Sequence, residues 1–126
     1  MKLLIGLAVM GAASAALVFG SEATQAQSAA PAAFAACKAC HTVNKGGRNG
    51  IGPNLHGVVG RPAASVAGFN YSPAMKASKL RWDDATLDAY LAGPMKKVPG
   101  TKMPIATPDP AKRAAIIAYL KAEGAK

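Results

Sequence analysis

The chain has 126 residues, 15 of them Lys or Arg against 6 Asp or Glu, for a formal net charge of +9. Lys2 and Glu22 cancel, so the excess belongs to the rest of the chain, and it calls for a partner of opposite sign. The cations form no dense run and no interleaving with aromatics, which argues against nucleic acid and for an acidic protein surface met by electrostatic steering.

Met1-Lys2, an apolar run from Leu3 to Gly20 and a small, polar stretch from Ser21 to Ala30 follow the pattern of a secretory signal. Cleavage is expected after Ala23 or Ala26, so residues 1–26 are read as signal and start of the leader and 27–126 as one domain. A retained anchor is the alternative, since about 20 apolar residues can span a bilayer. Here Ala and Gly dilute the run, and no cysteine stands near either site to carry a lipid. Export to the periplasm is the expectation. A domain of this size has a limited apolar core of its own, to which a bound cofactor would add apolar surface.

Pro31 to Cys40 reads as a short Ala-rich helical stretch with Phe34 as its one large apolar residue. It ends in Cys37-Lys38-Ala39-Cys40-His41, which holds both cysteines of the chain. C-x-x-C-H is the spacing of covalent haem attachment: two thiols add across two vinyl groups, and the next residue is placed to ligate the iron through imidazole. A zinc site would need four ligands, and the only further candidate, His56, leaves His41 too close to Cys40 to converge easily. A thioredoxin-like dithiol belongs in a βαβ context, of which there is no sign. A Cys37–Cys40 disulfide would close a very small loop and stabilise little. Haem attachment is the preferred reading.

From Asn44 to Gly60 glycine is too dense for regular structure, and a loop folded tightly against a flat object is expected. Pro73 to Lys79 fits a short helix capped by Ser72. Trp82 to Leu91 fits a better one, with Asp83 as N-cap, Gly93-Pro94 as stop, and Leu87, Tyr90 and Leu91 on one face. Met95 to Pro110 is expected to be an extended loop. The last helix should run from about Asp109 to Ala122, burying Ile116, Ile117 and Leu120 with Arg113 or Ala114 one turn earlier. No stretch alternates with period two, so the class is all-α with long loops.

Iron held by His41 needs a sixth ligand or an open site. Met75 and Met95, on or near helices, are expected to fill core gaps. His56 is expected to be a loop histidine. Met103 sits in Val98-Pro99-Gly100-Thr101-Lys102-Met103-Pro104, a proline-framed loop that can present a thioether with little residual entropy. With both axial positions filled, electron transfer is expected rather than catalysis. A haem enzyme or gas sensor with an open distal side is the alternative.

From Phe34 to Lys121 the chain resembles a class I cytochrome c of the bacterial c2 and mitochondrial type. The resemblance rests on Cys37-Lys38-Ala39-Cys40-His41-Thr42-Val43, Lys45-Gly46-Gly47, Gly52-Pro53-Asn54-Leu55-His56-Gly57, Gly60-Arg61 and Gly68-Phe69-Asn70-Tyr71-Ser72. It continues in Leu80-Arg81-Trp82, Thr86-Leu87, Tyr90-Leu91, Val98 to Met103 and Ile117-Ala118-Tyr119-Leu120. It implies a small helical fold wrapped around one haem c, with thioethers at Cys37 and Cys40 and iron ligands His41 and Met103. It further implies a His41 hydrogen bond to the Pro53 carbonyl, and Arg61, Tyr71 and Trp82 around a buried propionate. Tyr90 and Thr101 would lie beside Met103, and Phe34 would pack near Tyr119 and Leu120. The implied role is a monomeric electron shuttle whose exposed Lys38, Lys45, Arg48, Lys96, Lys97 and Lys102 meet acidic sites on a cytochrome bc1-type reductase, a terminal oxidase or another acceptor. The chain departs from the family in three places. The first helix is short, with Ala29 or Ala30 near its usual glycine. Met75 replaces an asparagine, and Ile105 stands where an aromatic follows the ligand methionine.

Overall fold

A computed structural model of the chain describes residues 30–126, together with Gly11. The leader, its cleavage sites and Ala29 lie outside the described residues. Helices begin where side chains cap them. Ser72 Oγ accepts from the Met75 amide at 3.0 Å, starting α2 (Pro73–Ala77). Asp83 accepts from Thr86 at 2.8 Å ahead of α3 (Asp84–Ala92), and Asp109 from Ala111 at 2.9 Å ahead of α5 (Pro110–Gly124). Each cap satisfies an amide that the first turn leaves unpaired.

Two segments differ from the sequence expectation. The N-terminal stretch is a 3-10 turn (Ala32–Phe34) running into one turn of α1 (Ala35–Lys38): no side chain caps it, and Phe34 is its only buried residue, so little packing supports a longer helix. The expected extended loop after α3 begins with another helical turn, α4 (Pro94–Lys97). Gly93 leaves helical geometry at φ −161°, and Pro94 restarts it from a first-turn position where its missing N–H costs nothing. Met95, expected to fill a core gap, is instead 53% exposed.

α5 packs on α3 and on the 3-10 turn. The Phe34 and Tyr119 rings meet at 4.8 Å and 60°, and Phe34 and Ile116 are each 1% exposed. Leu87, Tyr90, Leu91, Ile117 and Leu120 complete the inner faces of the two long helices. Arg113 leaves the apolar face to pair with Asp88 at 2.7 Å. Among the described residues no strand forms beyond one antiparallel bridge, Pro62 with Arg81. Around it Trp82 N donates to the Arg61 carbonyl (2.9 Å) and Ala63 N to that of Leu80 (2.8 Å), tying the central loop to the start of α3. No helix among the described residues is long and apolar enough to cross a membrane.

Candidate functional site

A cavity of about 280 Å³ opens between the helices and the loops. All ten residues that the sequence and the resemblance single out line it: Cys37, Cys40, His41, Pro53, Arg61, Tyr71, Trp82, Tyr90, Thr101 and Met103. Core side chains, among them Leu87, Leu91, Ile116 and Leu120, make most of its wall.

The motif occupies the end of α1 and the turn after it. The amides of Cys40 and His41 both donate to the Cys37 carbonyl, at 3.1 and 2.9 Å, which closes the turn and brings both free thiols to the cavity wall. Burial, reinforced by Cys40, raises the Cys37 thiol above its ordinary pKa. His41 Nδ1 lies 2.7 Å from the Pro53 carbonyl, which can only accept, so Nδ1 carries the proton and Nε2 keeps its lone pair. Burial lowers the His41 pKa, against the opposing pull of that hydrogen bond, and favours the neutral imidazole that can ligate a metal. Gly52 makes this ring position available: a Cβ there would fall 2.2 Å from His41 Cε1 and 2.6 Å from Nδ1. The sequence pattern marked Gly52 only as part of a glycine-dense loop, and this contact was not legible in it.

Arg61 sends two guanidinium nitrogens to main-chain carbonyls, Nη1 to His56 at 3.0 Å and Nη2 to Asn54 at 3.2 Å. Its Nε is buried with no partner, and burial lowers the Arg61 pKa against the pull of Tyr71. An unpartnered cationic N–H on an apolar cavity wall is suited to a carboxylate brought in by a ligand. Tyr71 Oη accepts from Val66 N at 3.0 Å, and the Trp82 and Tyr90 rings meet at 4.9 Å, tilted by 52°.

On the loop after α4, Thr101 Oγ1 lies 2.7 Å from Tyr90 Oη and accepts from Met103 N at 3.4 Å. Burial raises the Tyr90 pKa, partly offset by this hydrogen bond. Met75 is a second thioether on the cavity wall. His56 does not line it. Its Nδ1 donates to the Val43 carbonyl at 3.2 Å, which makes it a loop-bracing histidine. The unpartnered Arg61 Nε, two thiols and a single-tautomer imidazole on one apolar wall fit a flat apolar cofactor with carboxylate arms, attached through sulfur.

The family profile described as Cytochrome c matches residues 27–123. The chain belongs to the class I cytochromes c. It is 53% identical over 93 residues to cytochrome c2 iso-2 of Magnetospirillum fulvum, covering 73% of this chain and 96% of that one. It is 50% identical over 97 residues to cytochrome c2 of Rhodoblastus acidophilus, covering 74% and 91%. The solved structure of cytochrome cH from Methylobacterium extorquens matches with a TM-score of 0.66 and 54% identity, over 71% of this chain and 90% of that one. As a cytochrome c with one attachment motif, the chain carries one covalently bound haem c, held through Cys37 and Cys40, and functions as a mono-haem electron carrier.

Proposed function

We propose that this cytochrome c is a periplasmic shuttle for single electrons, with iron ligated by His41 and Met103 and residues 27–126 forming the mature domain. The observation that supports the ligation is the pairing of His41 Nδ1 with the Pro53 carbonyl, which leaves the Nε2 lone pair for a metal in a cavity that both His41 and Met103 line. When bound, the haem takes up and releases one electron. His41 and Met103 would hold the iron through an imidazole nitrogen and a thioether sulfur, a donor set that would raise the potential of the iron couple. Arg61 Nε, with Tyr71 and Trp82 beside it, neutralises a buried propionate.

Redox proteins with acidic docking sites, such as a bc1-type reductase and a terminal oxidase, are the proposed donor and acceptor. Lys38, Lys45, Arg48, Lys96, Lys97 and Lys102 are all exposed, and the three ion pairs among the described residues engage other cations. Ile51 and Ile105, 82% and 44% exposed, stand on the cavity rim and give the docking face an apolar centre. Exposed charges are screened beyond about 10 Å at 0.1 M salt, so electron transfer should slow steeply as salt is added. The apolar leader pattern supports export.

Carbon monoxide binding to the reduced holoprotein tests the ligation. Wild type and Met75→Ala should bind slowly, and Met103→Ala rapidly. Rapid binding by wild type would refute closed coordination, and rapid binding by Met75→Ala alone would move the ligand to Met75.

A further inference from the structure

The loop that bears Met103 is held at its two ends. On the near side Tyr90 Oη meets Thr101 Oγ1 at 2.7 Å, two residues before the methionine. On the far side Thr107 N donates to the Leu91 carbonyl of α3 at 2.7 Å. Among the described residues, 102–106 make no backbone–backbone hydrogen bond, and Pro104 has no N–H to offer. Where Met103 points therefore depends on the two clamps.

Arg113 closes the far one. It stands on α5 with its side chain only 12% exposed. Its Nε donates to Asp88 Oδ1 on α3 at 2.7 Å. Its Nη1 donates to the carbonyls of Thr107 at 3.1 Å and Pro108 at 2.7 Å. One guanidinium thus joins both long helices to the end of the loop, and a planar fork of donors can satisfy all three acceptors where an ammonium on a flexible stem cannot. The Thr107 it grips lines the haem cavity four residues after Met103.

We infer that Arg113, with Asp88, is a positioning residue for the Met103 ligand: it sets how often the loop swings the thioether off the iron, without touching the cofactor. The inference rests on the Met103 ligation proposed above. A clamp worth more than global stability has a distinct signature. It controls access of an outside ligand to ferric iron, because that ligand can enter only while Met103 is away.

The test uses the ferric holoprotein and imidazole. Binding kinetics are followed by loss of the red absorption band of thioether-bound ferric haem, and amide exchange of Thr107 is measured by NMR. Arg113→Met should speed imidazole binding by about tenfold or more, as expected for losing charge-assisted hydrogen bonds, and should speed Thr107 exchange. Arg113→Lys should fall between, since it can keep the Asp88 pair but not both carbonyls. Ile117→Val, a small core truncation on α5 outside the cavity wall, controls for global stability and should leave both rates unchanged. If Met103→Ala abolishes the band but Arg113→Met binds imidazole at the wild-type rate, the clamp is refuted and the ligation stands. If Met103→Ala retains the band, the ligation falls and the clamp falls with it.

Discussion

Gly52→Ala probes the contact on which the imidazole depends. The added Cβ would sit 2.2 Å from His41 Cε1, where ordinary contact begins at 3.4 Å, so one side must yield by about 1.2 Å. If the ring yields, Nδ1 leaves the Pro53 carbonyl from its 2.7 Å position and that part-buried acceptor loses its partner. Overpacking of this kind costs about 1–3 kcal/mol and an unsatisfied buried group about 1–3 more, so a loss of about 2–6 kcal/mol is expected. Guanidinium unfolding of the oxidised holoprotein, watched by haem absorbance, measures it, and voltammetry should show a shifted potential because the ligand's supporting hydrogen bond tunes its basicity. A variant within about 0.5 kcal/mol of wild type, with unshifted potential, would refute the idea that residue 52 must be glycine for the imidazole's sake.

Other perturbations test the frame. Lys79 is exposed and holds φ +57° just past α2, so Lys79→Gly should relieve left-handed strain and raise stability by a net of about 0.5–1 kcal/mol in chemical denaturation. Tyr90→Phe removes the hydroxyl bonded to buried Thr101 and should cost about 1–2 kcal/mol. Because burial raises the Tyr90 pKa, its contribution is fully present below the unfolded value near 10 and is lost as pH rises through the folded one. The fall in stability above about pH 10 should therefore be shallower in Tyr90→Phe, with Tyr119, also raised by burial, supplying part of what remains.

The caps were readable because their chemistry is local. Asp83 and Ser72 stand directly before their helices, and the structure uses both, whereas Asp109, expected as the first residue of the last helix, caps it instead. α4 was missed because Pro94 reads as a terminator after glycine, although the same ring that ends one helix is well placed to begin the next. Arg113 escaped for a different reason. Periodicity put position 113 near the apolar face, and only the approach of α3 and of the 107–108 carbonyls gives a cation a place there. The ten expected cavity residues include none for the far end of the Met103 loop, since Thr107 and Asp88 carry no motif. Likewise the orphaned Arg61 Nε is legible only in three dimensions, because it depends on which of the arginine's donors the 54 and 56 carbonyls leave free.

The makeup of the cavity wall bears on the life of the chain in the cell. Among the described residues the core has eleven buried hydrophobic side chains besides Pro94, and nine of them (Phe34, Val58, Met75, Trp82, Leu87, Tyr90, Leu91, Ile116 and Leu120) face the haem cavity. Val98 and Ile117 are the exceptions. Most of what would be a hydrophobic core is therefore a lining that needs its centre filled. A copy that fails to receive its haem opens easily, and proteases cleave the open form in proportion to its population. Attachment at Cys37 and Cys40 would then act as an inspection step, and the amount of this protein at steady state is expected to fall when haem supply is limited at constant gene expression, which immunoblotting of haem-starved cells would measure.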